Sequence, residues 1–222
     1  PFEAEMVSRS RAVPVNIESV DHDDFVEVGL VSSDELPNTD PYVEANFAVP
    51  SQQQELHAVP AMRMAGFVRD LVHIEGPIHR SEVVVRIRSL WGLQRAGGRI
   101  QSAVDEGIRR AVEDGLVLQD GEFLLWPGRA IRVRDRSGVQ SLSLRRPELL
   151  PPMEMDVAIL ELVRENLGAS LDEVALHVSR RLGFRTTSAQ LRAALVGRTE
   201  SLLARGALDL RNGLVVQRPV QE

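Results

Sequence analysis

Apolar residues recur at helical spacing in three successive windows after residue 60. Val68, Leu71 and Val72 share one face, which predicts a first helix over about 62–74. Gly76-Pro77 ends it, because proline cannot continue a helix. A second helix is expected from near Ser81, with Glu82 in its first turn, to Trp91. Val83, Ile87 and Leu90 repeat there at i, i+4 and i+7. Gly92 supplies a tight corner. A third helix is expected from about 96–99 onward, carrying Ile100, Ala103, Val104, Ile108, Ala111 and Val112. Two apolar runs, Leu116–Leu118 and Phe123–Trp126, then flank an Asp120-Gly121 pair. That pattern signals a β-hairpin with a type I′ turn. The expected core is Val68, Leu71, Val72, Val83, Ile87, Leu90, Ile100, Val104, Ile108, Val112, Phe123 and Leu125.

The plan repeats. Shifting the chain by 91 residues aligns Met62 and Met64 with Met153 and Met155, and Leu71-Val72 with Leu162-Val163. The same shift aligns Glu82-Val83 with Glu173-Val174, Gly92 with Gly183, and Gly115 with Gly206. A second hairpin is expected where Leu208–Leu210 and Leu214–Val216 flank Asn212-Gly213. The fold class read from this is mainly α with small β-hairpins (α+β): tandem winged helix-turn-helix domains at 61–128 and 151–222. Units near 70 residues are marginal alone, so the copies are expected to pack on each other or on the N-terminal segment.

Charge separates the remaining pieces. Residues 1–60 hold twelve Asp and Glu against Arg9 and Arg11, with six prolines, and read as an acidic extended arm or linker. Phe25–Leu30 is its candidate strand. His22, Asp23 and Asp24 read as a solvated turn, since adjacent turn residues rarely converge on one ion. Residues 129–150 read as a basic linker containing Arg129, Arg132, Arg134, Arg136, Arg145 and Arg146 against Asp135 and Glu148. The formal charge of −6 is therefore a basic-leaning body plus an acidic arm, which permits contact with nucleic acid without requiring it.

Composition excludes some chemistry. The chain has no cysteine, hence no disulfide or thiolate site. It also has no lysine, hence no Schiff base and no GxxxxGK[ST] loop. His57, His73, His79 and His177 are scattered, with no nucleophile or paired carboxylate at useful spacing. No enzyme activity, metal or cofactor is expected of this chain. No apolar run approaches a membrane span, and no secretory leader is read, so a cytoplasmic location is expected. The chain begins at Pro1, and a larger parent chain is expected around it.

The motifs EGPIH, WGLQRAG, GEFLLWP, RRPELLPPMEM and LGFRTTSAQL, spread over roughly residues 42–218, resemble a bacterial C-terminal domain family of unassigned function. That family occurs in very large superfamily I helicase-like proteins, often behind a nuclease-like domain related to very-short-patch-repair endonucleases. The resemblance implies a parent acting on DNA and an accessory role here. It supplies no catalytic residues, and residues 1–41 fall outside it.

Two functions from different classes follow. In a helix-turn-helix the third helix presents its first turns to the major groove. Here those turns carry Gln94, Arg95, Arg99, Gln101 and Ser102 in the first copy. The second copy offers Arg185, Thr186, Thr187, Ser188, Gln190 and Arg192, with Arg132, Arg134 and Arg136 adding linker contacts to phosphate. DNA is the expected partner on this reading. Against it stand Asp105, Glu106, Glu113 and Asp114 on or near the same third helix. The alternative is a protein-interaction or dimerisation module that docks on the parent's motor domain, with a homo-oligomer left open.

Overall fold

The computed structural model describes residues 39–49 and 55–218. The Phe25–Leu30 strand and the His22-Asp23-Asp24 turn lie outside the described residues. The described residues cluster as one compact unit of helices and small sheets.

Three helices form its first half: α1 (Ala61–Glu75), α2 (Arg80–Leu90) and α3 (Gly98–Glu113). Three more form its second: α4 (Pro152–Glu165), α5 (Leu171–Arg181) and α6 (Ala189–Ala204). The starts of α1 and α4, of α2 and α5, and of α3 and α6 each stand 91 residues apart. The offset seen in the apolar pattern is thus the offset of the helices. Each trio is followed by a hairpin, β3 (Leu118–Asp120) with β4 (Phe123–Leu125), and β6 (Leu208–Arg211) with β7 (Leu214–Gln217). In the first half β2 (Ile78–His79) adds a third strand, Ile78 opposite Leu124. In the second half the same contact shrinks to a single bridge, Ala169 opposite Val215, again 91 residues on.

Capping starts the helices where they start. Ser170 accepts from the Glu173 N–H, and Glu173 reaches back to the Ser170 N–H, a complete capping box on α5. At the equivalent position of α2, His79 accepts through Nδ1 from the Ser81 N–H. Burial holds His79 below the usual histidine range, and Arg80 adds to the effect against Glu122 and Glu82, so the imidazole is neutral and able to accept. Gly92 (φ +69) and Gly183 (φ +88) make the two corners that turn the second helix of each half toward the third.

Each half has its own core. In the first, Met64, Val68, Leu71, Val72, Val83, Ile87, Val104 and Ile108 are buried; Leu90, Ile100 and Val112 pack on them from the rim. Leu56 and Val59 close one end, and Phe47 stacks on Phe67. Strand β4 departs from expectation: Leu124 is fully buried, while Leu125 is only half-buried. Asp120 pairs with Phe123 as a strand residue, so the turn is Gly121-Glu122 rather than Asp120-Gly121. The second turn, Asn212-Gly213, has both residues at positive φ as a type I′ turn requires.

The largest departure concerns residues 129–150. They do not form a free tether. β5 (Arg134–Asp135) pairs in parallel with β1 (Asp40–Pro41), and two short 3-10 turns, Leu142–Arg145 and Pro147–Leu149, follow. Tyr42 donates its N–H to the Asp135 carbonyl at 2.8 Å, and Arg136 donates to the Leu182 carbonyl at 3.0 Å. The described part of the acidic arm and the supposed linker therefore fill the junction between the halves.

Candidate nucleic-acid interface

The junction explains where several predicted cations went. Glu154, in the first turn of α4, is fully buried. Arg136 grips it with two parallel bonds of 2.8 and 2.7 Å, and Arg134 adds bonds from its backbone N–H and Nη2, both 2.8 Å. Arg134 also donates to the Glu75 and Pro77 carbonyls of the first half. Both guanidinium groups stack against the Tyr42 ring, 4.6 and 5.0 Å from its centroid. Burial alone pushes the Glu154 carboxyl up. The Arg136 and Arg134 charges, with their hydrogen bonds, outweigh it and hold the group down at about 2.

A second buried carboxylate continues the network. Glu75, at the end of α1, accepts from the Tyr42 hydroxyl (2.8 Å), the Ala45 N–H (2.7 Å) and Arg86 Nε (3.1 Å). Burial pushes its carboxyl above the ordinary value against those partners. Arg86 also holds Glu44, which accepts from the Gln140 and Ser141 N–H groups. Burial and the Glu75 charge push the Tyr42 phenol up, so it stays protonated and donates.

Arg134 and Arg136 were expected to meet phosphate. That expectation fails for Arg136, which is 2% exposed, and for Arg134, whose donors are committed to Glu154 and to backbone carbonyls. Desolvation without a partner would cost far more than a phosphate contact returns, so these arginines are structural. Arg132 is exposed and pairs with Asp40 at 3.2 Å.

The first turns of the third helices stand differently. Arg88 donates to the Gln94 carbonyl at 2.9 Å and fixes the loop between α2 and α3. Gln94, Arg95, Arg99, Gln101 and Ser102 then all lie exposed. Among the described residues neither Arg95 nor Arg99 makes an ion pair or side-chain hydrogen bond; Gln101 reaches Asp105 at 3.0 Å. Gly97 and Gly98 have open space around them and leave the helix-start N–H groups uncovered.

The second half offers a parallel set. Arg185 and Thr186 are exposed, and Arg185 makes no ion pair with a described residue. Thr187 is tied to Ser179 at 2.5 Å, which steadies the loop. Ser188 spends its hydroxyl capping α6 through the Leu191 N–H, so it serves the helix first. Gln190 meets Glu148 at 3.2 Å, and Arg192 pairs with Asp172; both arrangements are exposed and weakly held. Sequence reasoning missed Arg180, exposed at the end of α5 and without a described partner.

The acidic side of α3 is occupied internally. Arg109 bridges Glu106 and Glu113, Arg110 holds Asp114 at 2.8 Å, and Arg80 holds Asp105 at 3.0 Å. The aromatic residues are packing elements. Trp91 is buried edge-on against Phe67, and Trp126 sits against His73 with Arg129 over its ring.

Residues 54–102 match the model of a family described as a protein of unknown function (DUF3320). The match spans α1, α2 and the first turn of α3. No curated protein and no solved structure matches the chain. No helix among the described residues is long and apolar enough to cross a membrane.

Proposed function

We propose that this chain is a non-catalytic accessory module of a larger helicase- or nuclease-type protein, and that it contacts DNA through tandem winged helix-turn-helix units. One observation carries the reading. In both halves the turn leading into the third helix, or the first turn of that helix, presents exposed arginines, Arg95 and Arg99 or Arg185, with no described partner. Arginines that fold a domain find carboxylates, as Arg86, Arg134 and Arg136 do here. Arginines left open beside helix-start N–H groups suit phosphate, because the helix dipole and the charge favour an anion together. The helicase-like context rests on the motif resemblance. The matched family, of unknown function, is compatible with it.

The test is binding of the chain to a labelled duplex at rising salt. Each phosphate contact adds about −0.9 to the slope of log K against log salt. No binding at low salt removes the DNA reading.

The second reading, a protein-docking module, is favoured by exposed leucines on both faces of the β6–β7 hairpin and beside it. Leu167, Leu210 and Leu214, at the hairpin end of the second half, are 89%, 58% and 43% exposed. A concentration-dependent mass of the free chain that is lost in a Leu210→Ser, Leu214→Ser variant supports this reading.

A further inference from the structure

The two third helices form an internal comparison: same length, same fold position, different surface. Where α3 carries Asp105, Glu106 and Glu113, α6 carries Val196, Gly197 and Ala204. From Ala189 through Thr199, α6 contains no acidic residue. At 1.5 Å per residue that run is about 15 Å of axis, longer than the major groove is wide. The matching run on α3, Gly98 to Val104, is about 9 Å. Beyond it stand Glu106 and Glu113, which share the single cation Arg109 and so keep a net negative charge on that face.

The exposed face of α6 is also low. Ala189, Ala193 and Gly197 are all exposed, and nothing lies within 4 Å of where a Gly197 side chain would begin. Donors border this face: Gln190 and Arg192 on α6, Arg185 before it, and Arg180 at the end of α5. The carboxylates that reach it, Asp172 on Arg192 and Glu148 on Gln190, are themselves exposed. A phosphate can replace either without desolvating a buried charge.

We infer that the two units contact DNA unequally. Helix α6 lies along the major groove over its first two to three turns, while α3 touches the phosphate backbone with its first turn alone. The inference rests on the DNA reading above and narrows it to one helix. Carboxylates at Glu106 and Glu113 would face phosphates if α3 lay in a groove, and like charges at that range repel strongly. Helix α6 has no such barrier until Glu200.

The experiment uses the full chain and a fluorescein-labelled duplex, read by anisotropy at several salt concentrations. Gly197→Glu places on α6 the charge that Glu106 places on α3. It should weaken binding about tenfold or more at low salt, by a factor that shrinks as salt rises. Gly197→Gln, of equal size and no charge, should lose much less. Glu106→Ala should stay within about twofold of the wild type. Arg185→Ala with Arg192→Ala should reduce the salt slope by about two. Circular dichroism of each variant confirms that the helices remain. If the wild type binds and Gly197→Glu binds equally well, the unequal arrangement is wrong and the DNA reading stands. If Glu106→Ala gains about tenfold, α3 lies in the groove and the assignment is overturned. If the wild type shows no salt-dependent binding, the reading itself falls and takes this inference with it.

Discussion

Replacing Glu154 by glutamine removes one charge from the centre of the molecule and leaves two arginines facing each other. Glu154 is fully buried, Arg136 is 2% exposed, and Arg134 is half-buried. Breaking a buried pair from one side typically costs about 3–5 kcal/mol, because the stranded charge stays desolvated. The carboxyl's own titration gives an independent figure. Its value falls from the ordinary 4.5 to about 2 in the fold. That difference corresponds to roughly 3 kcal/mol at neutral pH. The sign is that of a depressed acid: the stabilisation is complete above pH 4.5 and is lost as pH falls toward 2, with about 2 kcal/mol gone by pH 3. Some of the loss is softened by carbonyl acceptors, since Arg134 keeps Glu75 O and Pro77 O, and Arg136 keeps Arg134 O. Urea unfolding at pH 7 should place Glu154→Gln about 3 kcal/mol below the wild type, or roughly 10 °C lower in Tm. At pH 3 the gap should close to about 1–2 kcal/mol, because the wild type is losing the same contribution. A gap under about 1 kcal/mol at pH 7, or one that does not change with pH, refutes the view that this carboxylate is a paired anion holding the halves together.

Three further outcomes follow from single positions. Gly183→Ala puts a methyl 2.1 Å from Asp135 Oδ1 and 2.4 Å from the Ser137 nitrogen at φ +88, whereas Gly92→Ala meets nothing within 4 Å at φ +69. Urea unfolding should show about 1 kcal/mol lost at Gly92 from backbone strain, and clearly more at Gly183 where residues 135–137 must move. Gly107→Ala drives its methyl to 2.2 Å from Met64 Cγ and 2.8 Å from Met64 Cβ, so it should destabilise by about 1–2 kcal/mol in thermal melts, while Gly197→Ala, in open space, should stabilise by up to about 1 kcal/mol. His79→Ala should cost about 1 kcal/mol by removing the α2 cap, and His79→Ser should restore it, as Ser170 does on α5. Because burial depresses the His79 value, wild-type stability should decline as pH falls below 6.5, and His79→Ser should lack that component in urea titrations from pH 7.5 to 5.

The duplicated plan was legible because apolar spacing is local. Val68, Leu71 and Val72 announce a helix without reference to anything distant, and their partners at Ile159, Leu162 and Val163 do so again. The fate of residues 129–150 was not legible. Arg134 and Arg136 read as solvated because nothing adjacent neutralises them; their partner lies about twenty residues ahead. A signal did exist. Glu154 falls four residues before Ala158 and Glu75 four after Leu71, each on the apolar stripe of its helix. A carboxylate on a buried stripe demands a cation, and the densest arginine window in the chain was available. For the candidate interface, the exposed donors Arg95, Arg99 and Arg185 were found from sequence. The contrast between α3 and α6 was also within reach, since the 91-residue shift already sets Glu106 against Gly197; the structure adds that Gly197 is exposed.

The tucked course of residues 133–146 has a mechanical consequence. A flexible tether of that length would let two modules range over tens of ångströms and charge an ordering cost to any ligand that engaged both. Here the spacer is folded against Leu182, Glu154 and Tyr42 before any ligand arrives. The separation of the two helix tips is therefore set like the jaws of a locked caliper, and a bound object must fit that span or touch one jaw only.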